Sequence, residues 1–422
     1  MLRPQVRQRA AWLLVLPAAL QMHVAFAQDT GPAGPPDAAG TRPQPEYDPL
    51  GIRVGAVEVY PSVTLSGTYN SNVFAAPDNA ESDLYYTVVP AIRVLTANER
   101  RSLSLNGSAR IRRYDKFDSQ NDEQYFVNAA GRLNFGEQRS VQATVGWSQS
   151  TAARGTYQNT LQQGSPLKEE RFTGSVGGDY RFNRLRLNGR VGGEKFDYDD
   201  ITLDDGTIID QDYRDGHRVN VNLAAYYSIS ARFSLRLQGS VEKFDYQDPD
   251  PLRNRDATGY SVTAGGLYEV TELFSAELGV GYRRHNFKNP LFKDIPGFAF
   301  NGRLRWYPTP LISVRLDLSQ TTDTSTLPLV TAVNVSSAVL ASDYELRRNV
   351  LLTGRLEYSH ERYGGVDTNS DFMSASVRST WKANRWLRVG AELAYDRRTS
   401  ADRIPISEFD AFRGMLSLTL AR

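Results

Sequence analysis

The chain has no cysteine among its 422 residues, which excludes disulfides, thiol nucleophiles and thiolate metal sites. Histidine is scarce, with four in all, and only His217, His285 and His360 lie beyond the leader. No metal-ligand cluster, phosphate-cradling glycine loop or nucleotide motif is present, so neither a metal nor a cofactor is expected. An excess of one charge is also missing. Lys and Arg number 49 against 48 Asp and Glu, a formal net charge of +1, which gives no reason to expect a nucleic-acid partner.

Long apolar runs are absent too. Ala10 to Leu20 is too short for a membrane-spanning helix, which needs about 20 residues. Flanked by Arg3, Arg7 and Arg9 and by Ala25-Phe26-Ala27, it reads as a signal peptide over residues 1–27. Residues 28–54, rich in Pro and Gly, read as a periplasmic linker.

What the chain does have, from residue 55 to 422, is alternation. In residues 184–198, Leu185, Leu187 and Val191 oppose Arg186, Asn188 and Arg190. In residues 232–246, Phe233, Leu235, Leu237 and Val241 oppose Arg236, Gln238, Ser240 and Glu242. A side-chain period of two is a strand with one apolar and one polar face. About eighteen such strands fit, joined alternately by short turns and longer polar loops, and an even strand number with that alternation is the pattern of an outer-membrane barrel. A mean hydropathy of −0.45 suits a barrel with a wet interior better than a soluble sandwich. Aromatics at both strand ends, such as Trp306 and Trp381 beside short turns and Trp147 and Tyr282 near long loops, read as two interfacial girdles. The fold class is therefore an all-β, transmembrane, antiparallel up-and-down barrel over residues 55–422. Lipid and the barrel-assembly machinery are its implied partners, and the Gram-negative outer membrane its location.

The opening Val59-Tyr60-Pro61-Ser62-Val63-Thr64-Leu65 with Tyr69-Asn70-Ser71-Asn72-Val73-Phe74, the hairpin strand Trp386 to Tyr395 and the closing Gly414 to Leu420 resemble the putative β-barrel porin 2 family. That resemblance implies a porin-like barrel associated with exopolysaccharide production, exporting polysaccharide with a periplasmic export protein. The ending Leu420-Ala421-Arg422 departs from the terminal aromatic that many barrels present for assembly.

If the apolar face meets lipid, the opposite face lines the bore. That phase points Arg110, Arg112, Arg132, Arg181, Arg186, Arg190 and Arg236 inward, then Arg303, Arg305, Arg315, Arg355, Arg378 and Arg388. It also points Glu194, Glu242, Glu277, Asp317, Glu357 and Glu392 inward. Two readings stay open: a bore favouring anionic solutes through arginine forks, or a lattice in which arginines and acids neutralise one another. Phe196, Tyr198, Phe244 and Tyr246, at the outer ends of two neighbouring strands, are either sugar-contacting aromatics or girdle residues. Loops 152–169 and 199–216 are long enough to fold into the channel, and the second is acidic enough to raise calcium binding against plain solvation.

The expected function is an exit pore for an exopolysaccharide, and not an enzyme. A general diffusion porin for small solutes is the alternative, and a barrel-type surface hydrolase or adhesin comes third. Ser359-His360-Glu361, near the outer rim, is the one stretch that suggests hydrolysis, and it has no convincing second element.

Overall fold

The computed structural model describes residues 38–98, 100–159, 161–247, 250, 254–323, 330–366, 368–400 and 408–422, so the expected signal peptide lies outside the described residues. A single antiparallel sheet closes into a barrel of 18 strands. The strands are β1 (Val57–Asn70), β2 (Asp83–Ala97), β3 (Arg101–Tyr114), β4 (Asp122–Asn134), β5 (Arg139–Thr151) and β6 (Lys168–Phe182). There follow β7 (Leu185–Tyr198), β8 (Gly216–Ser228), β9 (Phe233–Tyr246), β10 (Ala257–Thr271), β11 (Phe274–Phe287) and β12 (Ile295–Thr309). The last third is β13 (Ile312–Asp323), β14 (Val333–Arg347), β15 (Val350–Tyr363), β16 (Thr368–Lys382), β17 (Leu387–Ser400) and β18 (Phe409–Ala421).

Each strand pairs with its neighbours in sequence, and β18 returns to β1 between Ser62 opposite Ala421 and Asn70 opposite Arg413. Closure is required because an unpaired backbone N–H or C=O in hydrocarbon costs several kcal/mol. The tight turns carry their own chemistry. Asn384 Oδ1 accepts from the backbone N–H groups of Trp386 and Leu387, and Asn183 turns the chain with a positive φ of 52°.

Strand parity separates two environments. One face presents exposed apolar side chains, among them Val191 at 54%, Leu223 at 62% and Leu416 at 69%. The other carries buried polar groups such as Gln142, Arg190, Arg236 and Arg305. Contacts that skip a strand, such as Arg236 with Glu277, occur on this second face, which makes it the concave interior. The two hydrophobic clusters found among the described residues lie at the strand ends, not along the middle of the wall. They form where long loops fold back at one end: Tyr157 with Val330, Val333 and Tyr363, and Ala152 with Leu167, Phe196, Tyr198 and Ile201.

One ladder stops early. β12 and β13 pair from Trp306 opposite Val314 to Gly302 opposite Leu318 and no further outward. Strand pairing across that seam therefore stops before residues 295–301 and 319–322.

The segment expected as a linker is not free over its described part. Residues 52–54 form a short strand on residues 57–59. Residues 38–50 lie against the end of the barrel that carries the short turns. Arg42 donates to the Pro310 carbonyl at 2.7 Å and pairs with buried Glu345 at 3.6 Å. Lys382 donates to Gln44 Oε1 at 2.8 Å and Asp48 Oδ1 at 3.0 Å, and Arg385 to the Pro45 carbonyl at 2.8 Å. Ionic contacts to the turns hold the described part of this Pro- and Gly-rich stretch against the barrel.

Candidate functional site

The bore is the candidate site, and its lining follows from strand parity. All thirteen arginines and six acids singled out from sequence lie on the interior face, since each shares parity with a buried or cross-linked interior residue in the ladders. Much of this charge is paired. Arg112 reaches Asp122 at 3.4 Å, Arg186 reaches Asp179 at 3.4 Å, and Arg236 reaches Glu277 at 2.9 Å. Asp317 receives both Arg303 and Arg315 at 3.1 Å. Arg355 pairs with Glu357 at 2.9 Å and Arg378 with Glu392 at 2.5 Å. Glu194 is shared by Arg171 at 2.9 Å and Arg218 at 3.0 Å, and Arg218 also reaches Glu242 at 3.7 Å. Arg171 and Arg218, near the starts of β6 and β8, also belong to this lattice, although the sequence pattern did not single them out.

The lattice is not complete. Arg110 donates to Gln124 at 3.1 Å, and Arg132 to Ser140 at 2.9 Å and Asn134 at 3.1 Å. Arg190 donates to Ser175 Oγ at 2.9 Å while its Nη2 is buried without a partner. Arg388 Nε is likewise buried without a partner. None of these four has a carboxylate within ion-pair distance among the described residues. Guanidinium groups in this state offer a two-point fit to a carboxylate or phosphate passing by.

The wall bends sharply at β10 and β11. A Cβ added at Gly265 would overlap the Leu278 carbonyl, and one at Gly281 would overlap that of Val262. This curvature brings Tyr226 on β8 within 3.3 Å of Glu277 on β11, and Arg236 on β9 within 3.2 Å of Asn301 on β12.

The outer mouth is crossed by the loop after β5. Tyr157 Oη and Gln158 Nε2 donate to Asp323 at the end of β13, at 3.1 and 3.0 Å. Gly155 meets Phe409 of β18 and Ala75 beyond β1, so the loop from β5 touches the β18–β1 side as well as β13. Arg154 ties its own loop to Gln120 Oε1 at 2.8 Å, and burial lowers its pKa to about 10. A fully buried pair, Arg398 with Glu361 at 2.7 Å, holds the floor beside Tyr363 and Ser370.

The four aromatics considered for sugar contact do not form an open track. Phe196 and Tyr198 point inward and are only 6% and 7% exposed, and Phe244 is 6% exposed. Phe196 and Tyr198 lie under the inward-folded loops, where Ala152, Leu167 and Ile201 cover them with Tyr246 at the margin, and Phe244 packs against His285. Arg214 stacks on the Tyr198 ring at 3.9 Å and donates to the Gln158 carbonyl at 3.3 Å, joining the two long loops. In the acidic loop, Asp200, Asp210 and Asp212 are exposed and close together. Desolvation, then Asp200 and Asp210, raises the Asp212 pKa.

Ser359-His360-Glu361 divides across the wall. Ser359 and Glu361 face the bore and are buried, while His360 points outward and bonds Asp371 at 2.8 Å. Adjacent residues on opposite faces cannot act as nucleophile and base together.

Among solved structures, the vanillate-bound OpdK of Pseudomonas aeruginosa is similar at 12% identity and a TM-score of 0.44, covering 86% of this chain and 99% of that one. A BenF-like porin from Pseudomonas fluorescens Pf-5 is similar at 13% identity and a TM-score of 0.44, with the same coverage of 86% and 99%. A ferric enterobactin receptor from Pseudomonas aeruginosa is similar at 8% identity and a TM-score of 0.46, covering 88% of this chain and 81% of that one. No curated protein matches. The family model described as Putative beta-barrel porin 2 matches residues 44–422, from within the segment packed on the short turns to the last strand, and the chain belongs to that family of outer-membrane barrels.

Proposed function

We propose that this porin-type channel is the outer-membrane exit for an acidic exopolysaccharide, which a periplasmic export protein delivers to the mouth beneath Arg42 and Lys382. The observation that carries this reading is a group of interior arginines with no acid within ion-pair distance, among them Arg110, Arg132, Arg190 and Arg388. Channel-lining charge sets solute preference, and guanidinium forks spaced along a wet wall let a polyanion exchange one contact for the next. The ion-paired arginines, such as Arg236, Arg355 and Arg378, keep the interior polar without adding net attraction strong enough to trap the chain. Transport at neutral pH needs no chemistry from the protein, only hydration and compensating charge.

Planar-bilayer recording of the purified barrel tests the reading. It expects anion selectivity and current block by an oligouronate at concentrations where neutral dextran of equal length has no effect. Cation selectivity, or equal passage of charged and neutral sugars in liposome swelling, would favour a general diffusion porin instead.

A further inference from the structure

We infer that the outer ends of β13, β14 and β15 form a hinged flap with two seats: one inside the bore, as observed, and one in the barrel wall against β12. The observed seat is unusual. Asn334 and Thr322 have the parity that faces outward elsewhere in the barrel, yet Asn334 bonds Arg283 on the interior face of β11, and Thr322 donates to Asn334 at 2.9 Å. Phe244, His285 and Phe287, all interior, line a narrow cleft with Thr322, Asp323 and Ala332. Ile295, where β12 begins, touches Gly364 just beyond β15. The flap therefore lies behind β12, its outer face pressed on the inner wall.

The missing seat is written in the register. Gly302 pairs with Leu318 and Arg303 with Asp317. The same ladder carried outward places Asn301 opposite Ser319, Ala299 opposite Thr321 and Gly297 opposite Asp323. No side chain changes face, so no register slip is needed.

Each seat leaves something unsatisfied. Inside, the ladder across the seam is not made between residues 295–301 and 319–322, and Gln320 Oε1 is buried without a partner. In the wall, Gln320 and Thr322 would face the lipid side beside Phe300 and Phe298, both apolar. Opposed costs of this kind are what a bistable element requires. The inward seat also holds the mouth shut, because Asp323 accepts from Tyr157 and Gln158, and Val330, Val333 and Tyr363 pack on Tyr157. When the flap swings to β12, the loop over the bore loses these two contacts, keeps those of Arg154 with Gln120 and of Gln158 with Arg214, and the mouth widens on the β13 side.

The chain has no cysteine, so paired cysteines report on this directly in the folded, heat-modifiable barrel. Ala299→Cys with Thr321→Cys should crosslink on oxidation and raise conductance severalfold, and dithiothreitol should reverse both. Arg283→Cys with Asn334→Cys should crosslink and abolish the large openings. The inference is overturned if the first pair never crosslinks while the second does, or if the first crosslinks with conductance unchanged. It rests on the channel reading only for its electrical readout. Crosslinking of both pairs in a barrel that passes no ions would establish the two seats and count against the channel.

Discussion

Arg236 and Glu277 form an ion pair at 2.9 Å although the whole of β10 lies between their strands. Only a sharply concave wall permits this, and the glycines of β10 and β11 supply the bend. Both side chains are nearly buried, so Arg236→Ala leaves a carboxylate with little beyond the Tyr226 hydroxyl at 3.3 Å. A loss of about 3 kcal/mol follows, and Arg236→Met with Glu277→Leu should cost less than the single change. Urea midpoints of the heat-modifiable form measure both. Equal losses for the single and double variants would contradict the argument.

Replacing Arg110, Arg132, Arg190 and Arg388 together by Gln removes four positive charges that have no acid within ion-pair distance. The reversal potential under a salt gradient should move toward cation preference, and lower ionic strength should enlarge the effect because screening weakens. Replacing the paired Arg355 with Glu357, as Gln and Gln, should leave selectivity in place. If the paired set matters as much as the first, the lattice as a whole sets selectivity.

Phe196 under its loops argues for a different outcome from an exposed sugar track. Phe196→Ala empties a site covered by Leu167 and Ile201, at a cost of about 3 kcal/mol or more to loop docking. Loosened loops should give more frequent openings and faster proteolytic nicking near Arg154. Reduced sugar passage with unchanged openings would instead return these rings to a contact role.

Gly40 tests the strap that residues 38–50 form on the short-turn end of the barrel. Its φ is +79°, and an added Cβ would sit 2.9 Å from an Asp343 carboxylate oxygen. Gly40→Ala therefore carries a backbone penalty of about 1–2 kcal/mol as well as a clash. Protease added from the turn side should cleave residues 38–50 faster, while the urea midpoint of the barrel stays the same. Unaltered cleavage would mean that Arg42 and Lys382 hold the strap without help from this turn.

Most of the wall was legible because lipid enforces alternation. Leu187, Val191, Leu235 and Val241 can face only hydrocarbon, and their partners Arg186, Arg190, Arg236 and Glu242 then fall inward. The strap was not legible, since Pro and Gly content says nothing about Lys382 and Arg385 waiting at the turns. The broken seam left a faint trace: Gln320, Thr322, Asn334 and Ser336 are polar at positions where other strands carry Val, Leu or Tyr. The burial of Phe196 and Tyr198 was hidden for a simpler reason. Period two assigns a face, and it does not report what a distant loop lays over that face.

Asp215 gives the outer mouth a pH dependence with a definite sign. Burial, opposed by a hydrogen bond from the Tyr198 N–H and reinforced by Asp197 and Asp212, pushes its pKa from 3.8 up to about 6, with Lys195 working the other way. The native loop thus holds a proton that the unfolded loop has already lost, so between pH 3.8 and about 6 the folded form binds more protons. Loop stability is greatest below that window and falls as pH rises through it. Asp215 begins the chain into β8 beside Arg214, which clasps the neighbouring loop, so ionisation loosens the joint between the two long loops. Opening frequency should therefore increase from pH 4 toward pH 7, and Asp215→Asn should flatten the profile at its low-pH level. A profile that rises equally in the variant would place the responsible proton elsewhere, with the exposed Asp212 the next group to replace.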